Sequence, residues 1–448
     1  MNDAIFSQLD FGALQEYLND DNVTDISYSN GGNVWLKTLD KGVFRVDNPN
    51  VNNALMEKLA FQCSNVMGKT FNMASPFLDA ESAELRLNFV HDSISTNGIA
   101  CVIRKTPAKI RLNKEKLIDE KYITEKLHDF LITCVQGHCN IMVSGETGSG
   151  KTELVKYLAS KTRENEKIIT IEDTLELHLD RIFPHRDIVA MKTNNIASYS
   201  DVLVTCMRQN PKWILLSEVR SAEAVMAVRN SISSGHYILS TIHADKAESI
   251  PNRMYSLFET NLDIEQFLKS IHRYVQLGVH IRGYQSIEQQ RFVREVCEVC
   301  EFYVDEENNA KSNVIYRKTP GGQVYMRNPS KYLLDYLAAQ GIAMPADVIV
   351  KGADEVVEEA PEPTVSKVEE KPKPSEPVQS VEPTPTVPNT VTPTVEPKVE
   401  STPVVEPTTV PTMEPKPMVE TTPVVNNAIP SVTPPGINEN GENEFLEI

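Results

Sequence analysis

A glycine-rich segment from Gly145 to Glu153, GETGSGKTE, contains a complete GxxxxGK(S/T) pattern. An apolar run, residues 141–143, precedes it, and a run with helical composition, residues 154–158, follows it. Between a strand and a helix, such a loop curls so that its N–H groups point inward, which predicts a phosphate cradle. The alternative is a glycine-rich turn with a chance lysine. The predicted contacts are Gly145, Glu146, Thr147, Gly148, Ser149, Gly150, Lys151 and Thr152.

The last two residues of this loop indicate which phosphates it binds. Lys151 supplies a positive charge suited to the β- and γ-phosphate oxygens, and the Thr152 hydroxyl suits Mg²⁺. We therefore expect the chain to bind a nucleoside triphosphate.

Three further apolar runs follow the loop, and each ends in ionisable residues. Residues 167–171 are followed by Glu172 and Asp173, residues 213–216 by Ser217 and Glu218, and residues 237–242 by His243. Short apolar runs that alternate with helical segments predict a parallel sheet covered on both faces, with ligands bound at the carboxyl ends of its strands. The fold class is therefore α/β, and the four strand ends are expected to meet at one site.

Each of these ionisable residues also has a structural interpretation. Glu172 or Asp173 could cap the next helix, Glu218 could pair with a nearby arginine, and His243 could be a core histidine. Their shared arrangement downstream of a phosphate loop favours chemistry at a γ-phosphate, which needs a water-positioning carboxylate, a metal-shell carboxylate and a polar sensor.

At this level of detail the chain resembles the traffic ATPases of bacterial secretion and type IV pilus machines. The resemblance rests on four segments in order: GETGSGKTE, then TIEDTLEL (residues 170–177), MRQNPKWILLSEVRSAEA (207–224) and SGHYILSTIHADKA (234–247). Two upstream segments, SPFLDAESAELRLNFV (75–90) and ACVIRKTP (100–107), resemble the end of the family's N-terminal domain. The resemblance as a whole covers nearly all of residues 1–334.

The resemblance implies a RecA-like P-loop NTPase domain that uses ATP and Mg²⁺. Glu218 would polarise the attacking water, and Glu172 would act with Thr152 through the Mg²⁺ shell. His236 and His243 would report the γ-phosphate. Two arginines, Arg86 and Arg104, would reach the phosphates from the N-terminal domain.

The chain departs from the family pattern at three places. Ser217 stands where the family usually has glycine, and Ser221 where it often has aspartate. A proline-aspartate-glycine turn that is common in the family before the first arginine, here Arg86, is replaced by residues 80–84.

Composition predicts four segments along the chain. We expect a small α+β domain at 1–107, with a helix near residues 14–18, a charged linker at 108–122, the ATPase domain at 123–348 and a disordered tail at 349–448. From residue 352 onward there are 18 acidic and 5 basic residues, and 19 of the 28 prolines. Such a segment buries too little apolar surface to fold. It is either a solvating spacer or a tether whose end docks on a partner.

The cysteines and the apolar runs indicate a cytoplasmic chain. Seven scattered cysteines fit reduced thiols, no apolar stretch reaches the roughly 18 residues that span a bilayer, and the acidic start lacks the features of a signal peptide. Cys297 and Cys300 form a lone CxxC in an alternating, strand-like segment. Because thiols three residues apart on a strand face opposite sides, we do not expect a metal site there.

The resemblance implies a homo-hexameric motor that works with inner-membrane proteins of a secretion channel and lies at the cytoplasmic membrane as a peripheral protein. We favour type IV secretion, including conjugation, because the chain is compact and lacks the paired-cysteine zinc element. A pilus assembly or retraction motor is the second interpretation, supported by MRQNP at 207–211. Two alternative interpretations belong to other functional classes: a DNA translocase or helicase, and a catalytically inactive scaffold. Direct nucleic-acid binding is disfavoured because the basic linker lacks interleaved aromatics and its domain is acidic.

Overall fold

The computed structural model describes residues 9–194, 196–258, 263–346 and 348–349, and the backbone of Val356–Val357. By its contacts the chain divides into two units, residues 1–366 and 367–448, and the second lies outside the described residues. The predicted disorder of residues 349–448 therefore falls almost wholly outside them. The exceptions are Ile349 and Val356–Val357, and the latter forms a short strand.

The N-terminal region is a six-stranded antiparallel sheet. Its strands are β1 Val23–Ser29, β2 Asn33–Thr38, β3 Gly42–Val46, β4 Phe77–Glu81, β5 Leu85–Val90 and β6 Ala100–Lys105. Their spatial order is β3-β2-β1-β6-β5-β4. Alternate residues along the strands, such as Ile26 and Tyr28 or Leu87 and Phe89, are buried on one face, as the two-residue period of a strand requires.

Two helices belong to this sheet. The predicted N-terminal helix is α1, Gln15–Asn19, and a longer helix, α2, spans Asn53–Met67. The side chain of Asn52 accepts a hydrogen bond from the Leu55 N–H at the start of α2, and Gly68 ends it in the left-handed conformation. Helix α2 covers one face of the sheet with Met56, Leu59 and other apolar residues. The opposite face is not covered by α2, and we call it the open face.

The segment predicted as a charged linker is partly helical and packed. It contains α3, Lys114–Asp119, capped by Asn113. Leu117 and Tyr122 are buried in the core of the following domain. Apolar residues of this segment therefore anchor its backbone in the following domain.

A ten-stranded mixed sheet forms the second region. Its strands are β7 Ile141–Gly145, β8 Ile168–Glu172, β9 Ile188–Lys192, β10 Trp213–Leu216, β11 Tyr237–Ile242, β12 Leu277–Ser286, β13 Arg291–Val304, β14 Ala310–Lys318, β15 Val324–Met326 and β16 Val356–Val357. The order is β16-β15-β14-β13-β12-β7-β11-β10-β8-β9. Strands β12, β7, β11, β10, β8 and β9 are parallel to their neighbours, whereas β13 to β16 are added antiparallel. The carboxyl ends of the predicted strands β7, β8, β10 and β11 therefore share one edge.

Helices cover both faces of this sheet. They are α4 Glu125–Gln136, α5 Lys151–Ala159, α6 Leu179–Ile182, α7 Tyr199–Met207, α8 Ala222–Ser233, α9 Ile250–Tyr255, α10 Ile264–Tyr274 and α11 Lys331–Ala339. Successive strand residues enter opposite cores: Trp213 and Leu215 pack with α4 and α5, whereas Ile214 and Leu216 pack with α7 and α8. This burial on two sides explains why the strands are continuously apolar.

The CxxC segment lies in β13, which confirms the predicted strand. The pairing of β12 with β13 shifts at Cys297, since His280 pairs with Glu298 and Ile281 with Val296. This bulge allows Val296 and Val299, three residues apart, to enter the same core. Among the described residues, no group of three or more metal-binding side chains comes together.

No helix within the described ranges is both long and apolar enough to cross a membrane.

Candidate active site

The phosphate loop joins β7 to α5 and takes a conformation that needs its glycines. Gly145, Gly148 and Gly150 have φ of +151°, +82° and +97°. A Cβ on Gly145 would collide with the backbone oxygen of Ile281, and one on Gly148 would collide with the ammonium of Lys37. Any other residue would therefore be strained or would clash at these positions. Since α5 begins at Lys151, the loop leads directly into a helix N-terminus, which favours anions.

Lys151 is buried inside this loop. Its Nζ donates to the carbonyl oxygens of Gly145 at 2.9 Å and Glu146 at 3.0 Å, and lies 3.5 Å from Nδ1 of His243. Burial lowers the pKa of Lys151, against the opposing effect of Glu218 and other carboxylates. The Lys151 side chain is thus held inside the phosphate loop.

Glu218 and His243 come together at the ends of β10 and β11. His243 Nε2 lies 2.8 Å from Glu218 Oε1. The backbone sets this pairing, because the Thr241 hydroxyl donates to the Ser217 carbonyl at 2.6 Å and the Val219 N–H donates to the Thr241 carbonyl at 2.7 Å. Together with the Lys151 contact, this gives a continuous chain from Glu218 through His243 to Lys151.

The first two departures from the family pattern are accommodated locally. Ser217 is buried and does not have the positive φ that would require glycine. Ser221 caps α8 by accepting a hydrogen bond from the Ala224 N–H, a role that aspartate performs equally well. In place of the missing turn, the Ser82 hydroxyl accepts from the N–H groups of Glu84 and Leu85. This hydroxyl closes the β4–β5 hairpin just before Arg86.

Glu172 has a different position from the one predicted for a metal-shell residue. It is fully buried at the end of β8. One carboxylate oxygen accepts from the N–H groups of Glu176 and Leu177, at 2.8 and 3.0 Å, and the other accepts from the Thr170 hydroxyl at 3.0 Å. Burial raises the pKa of Glu172 to about 7 despite these hydrogen bonds. Its oxygens therefore fix the loop that follows β8.

Glu176, which the sequence interpretation missed, is the carboxylate that meets Thr152. The Thr152 hydroxyl donates to Glu176 Oε2 at 3.1 Å. The available signal was its position in TIEDTLEL, four residues after Glu172 in the same polar segment. The fold brings it to the phosphate loop because Glu172 holds the intervening turn.

His236 lies at the wrong end of β11 for contact with this phosphate site. It precedes the strand, whereas His243 follows it, so the two are about 23 Å apart along the backbone at about 3.3 Å per residue. Its Nδ1 lies 3.0 Å from the Ser234 hydroxyl. The predicted γ-phosphate contact of His236 is thus wrong for its own subunit, because the sequence motif spans a whole strand.

The open face of the N-terminal sheet lies over the phosphate loop and the acidic segment. One cross-strand row contains Lys37, Asp25, Arg104, Arg86 and Glu81, each paired with the next. Lys37 lies against Gly148, Arg86 Nη1 donates to the Thr174 hydroxyl at 3.0 Å, and Glu81 forms an ion pair with Lys192. We term these five residues the facing row.

The two predicted arginines differ in their contacts. Arg104 borders the cavity beside the phosphate loop, where its Nε donates to Asp25 at 2.9 Å. Burial lowers the pKa of Arg104, but Asp25 outweighs this effect and the net pKa is raised. Arg86 contacts the acidic segment and is not among the residues that line this cavity. Its predicted phosphate contact is therefore replaced by a contact with the loop that carries Glu176.

The cavity beside the phosphate loop measures about 180 Å³ and has cationic walls. Lys151 and Thr152 form one side, and Lys37 and Arg104 the other. Seven of its lining residues are lysine or arginine and three are acidic. A second cavity of about 280 Å³ adjoins it at Gly150 and is lined by Tyr122 and Phe292. A polyanion attached to a flat, partly apolar group fits this pair of cavities.

Sequence comparison places these features in a family. The profile described as "Type II/IV secretion system protein" matches residues 78–331, more than half of the chain. The chain belongs to that family. The matched residues include the phosphate loop, the acidic segment and the Glu218–His243 pair.

Curated relatives match over part of their length. An uncharacterised protein of Bacillus anthracis is 30% identical over 276 residues, which are 60% of this chain and 62% of that protein. The type IV secretion system protein VirB11 of Bartonella quintana is 39% identical over 177 residues, 36% of this chain and 48% of that protein. The chain thus spans about half to three fifths of the length of these two relatives.

Solved structures are similar at lower identity. The VirB11 ATPase of Brucella suis, in complex with sulphate, has a TM-score of 0.35 and 23% identity, covering 66% of this chain and 93% of that chain. The pilus retraction motor PilT with bound ADP has a TM-score of 0.48 and 21% identity, covering 64% and 82%.

Proposed function

We propose that this family member hydrolyses ATP through a RecA-like domain and drives a type IV secretion or conjugation apparatus. The observation that carries the proposal is the chain of contacts from Glu218 through His243 to Lys151 beside the phosphate loop. It joins the group that orients water to the cation that holds the β- and γ-phosphates.

The proposed chemistry is in-line attack of water on the γ-phosphate. Glu218 orients the water and accepts its proton, and His243 fixes the carboxylate through the 2.8 Å contact. Because the other ring nitrogen of His243 lies 3.5 Å from Lys151, the orientation of the ring depends on the cation at the phosphates. His243 is thus placed to align the carboxylate when the triphosphate is bound.

The residues present fit a magnesium ion. The Thr152 hydroxyl and the Glu176 carboxylate, 3.1 Å apart, are the oxygen donors that Mg²⁺ prefers. When bound, the ion would neutralise charge on the β- and γ-phosphates. Glu172 would contribute by holding the backbone of the loop that carries Glu176, so we assign the metal shell to Thr152 and Glu176, with Glu172 as a positioning residue.

We further propose a homo-hexameric ring at the cytoplasmic face of the membrane, attached to inner-membrane proteins of a secretion channel. The identity shared with VirB11 proteins supports this assignment. The cavity lies between the N-terminal sheet and the phosphate loop, so closing and opening of that sheet over the nucleotide would transmit force. A pilus motor is the second candidate, favoured by the MRQNP segment at residues 207–211.

Substitution of the water-orienting carboxylate tests the proposal. Glu218→Gln should leave ATP affinity near the wild-type value and slow hydrolysis by about 10²–10⁴-fold, since a positioned base contributes that much. Nucleotide affinity is measured by titration and turnover by phosphate release. The matched control is Glu265→Gln, an exposed glutamate on α10 paired with Lys269, which should change neither value.

A second variant separates binding from chemistry. Lys151→Ala should nearly abolish ATP binding, because the phosphates lose their fixed cation.

Wild-type turnover in Glu218→Gln would refute the catalytic assignment. Hydrolysis that rises strongly with added DNA would favour a DNA translocase over a secretion motor.

A further inference from the structure

Arg294 lies where three parts of the molecule meet. It is on β13, near the tip of the long β12–β13 hairpin. Its Nε donates to the carbonyl oxygen of Gly148 in the phosphate loop at 3.3 Å, and its Nη1 donates to the carbonyl oxygen of Leu39 in the N-terminal sheet at 2.9 Å. A single guanidinium therefore links the hairpin, the phosphate loop and the N-terminal region.

The side chain is held in place by its surroundings. Its guanidinium carbon lies 4.6 Å from the centre of the Phe292 ring, and its Cδ lies 3.4 Å from the position a Cβ on Gly150 would take. Stacking on an aromatic ring restricts an arginine while leaving the edge of its planar group available to acceptors. Arg294 is thus preorganised beside the N-terminus of α5.

Arg294 lies where the two cavities adjoin, and it lines both of them together with Gly150, Arg111, Leu39 and Glu153. Lys151 and Thr152 mark the β/γ-phosphate end of the first cavity. The second contains the Tyr122 hydroxyl and two nitrogens of Arg111, which are buried without a hydrogen-bond partner. Buried polar atoms of this kind, beside the Phe292 ring, suit the base and ribose. The boundary between the two cavities is then the α-phosphate position.

Arg294 has further guanidinium N–H groups that are available to donate to an α-phosphate. Its two hydrogen bonds go to neutral carbonyl oxygens, whereas a guanidinium carries five N–H groups in a fixed fork that matches phosphate oxygens. Charge-assisted hydrogen bonds to phosphate are stronger than those to carbonyls.

We propose that Arg294 is a nucleotide-positioning residue that donates to the α-phosphate end of the bound triphosphate and so links nucleotide binding to the β12–β13 hairpin and the N-terminal sheet. This inference rests on the proposed function. It adds to that function a residue outside the phosphate loop and outside the motifs of the sequence interpretation.

The test compares nucleotide affinities in the full chain. The Arg294→Ala variant should bind ATP and ADP more weakly by similar factors, about 10–100-fold, since both nucleotides contain the α-phosphate. Arg294→Lys should recover part of the loss, because it keeps the charge without the fork. The control is Arg273→Ala, an exposed arginine on α10 that bonds Asn308 and should bind like wild type.

Other outcomes would overturn the inference. Weaker binding of ATP alone would place Arg294 at the γ-phosphate. Unchanged affinity for both nucleotides, with a lowered melting temperature, would show that Arg294 stabilises the fold through its contacts with Gly148 and Leu39 and does not bind the nucleotide. If wild type itself binds neither nucleotide, the proposed function fails, and the inference fails with it.

Discussion

At the scale of single residues, Glu172 shows how burial changes the role of a carboxyl group. The sequence placed it at a strand end and left open whether it caps a helix or serves a metal. In the structure it has three hydrogen-bond donors and no exposed surface, and burial raises its pKa to about 7. The folded chain therefore holds a proton on Glu172 at pH values where the unfolded chain, with a pKa near 4.5, has released it.

This shift predicts a pH-dependent stability difference. The raised pKa of Glu172 contributes fully to the free energy of unfolding below about pH 4.5, and this contribution is lost as the pH rises through about 7. Glu172→Gln, which does not titrate there, should gain stability relative to wild type by up to about 3 kcal/mol between pH 5 and pH 8. Urea unfolding of both proteins without nucleotide, at each pH, measures the difference. A gap that stays constant with pH would contradict it.

Site residues differ in how far the sequence predicted them. Glu218, His243 and Lys151 follow strand ends or a loop pattern that local sequence fixes, and the structure brings all three together. His236 was assigned to the phosphates because it shares a motif with His243, but the intervening residues form one extended strand. Glu176 was passed over because only the turn held by Glu172 shows that it reaches Thr152.

At the scale of elements, the strands of the N-terminal sheet determine which residues face the nucleotide. The sequence predicted an α+β domain and two arginines, and the pairing of β1, β2, β4, β5 and β6 adds Lys37, Asp25 and Glu81 to the same row. No local pattern could show this, because the row combines residues from five strands that lie between Asp25 and Arg104 in the sequence. Alternation alone gives the face of each strand but not its register with its neighbours.

The facing row predicts unequal effects of its two arginines. Arg104→Ala should weaken ATP binding by about tenfold, since a half-exposed cation beside the phosphates is lost. Arg86→Ala should affect turnover more than binding, because it contacts the acidic segment through Thr174. Steady-state KM and kcat separate the two effects.

The control for this pair is Arg45→Ala, an exposed arginine on β3 outside the facing row, which should behave like wild type. Equal effects on KM from Arg86 and Arg104 would show that the two arginines are not divided in this way.

At the scale of the whole molecule, the chain combines a nucleotide-binding unit with an acidic, proline-rich segment of different composition. The first unit ends at Ser366, and its last described strand, β16, pairs with β15. This boundary lies beyond the predicted domain end at residue 348, because a short strand that crosses into the proline-rich region has too few residues to give a sequence signal.

The boundary predicts where the chain tolerates truncation. A chain that ends at Ser366 should keep the melting temperature and the ATPase rate of the full chain, because the removed segment has a composition that buries little apolar surface. A chain that ends at Lys351 additionally loses the β15–β16 pairing and should melt slightly lower. A drop of more than about 5 °C in the Ser366 variant would show that the removed residues pack on the first unit.

The facing row also restricts how the N-terminal sheet can move. The next row on the same face contains Arg45, Trp35, Ser27, Val102, Asn88 and Asp79, so its centre carries no cation. Sliding the sheet along its strands by one row, two residues or about 7 Å, would place a tryptophan and a valine opposite the phosphate loop. Of these two positions, only the present one places cations opposite the phosphate loop. We therefore expect the sheet to release a bound nucleotide by tilting away from the phosphate loop and not by sliding along its strands.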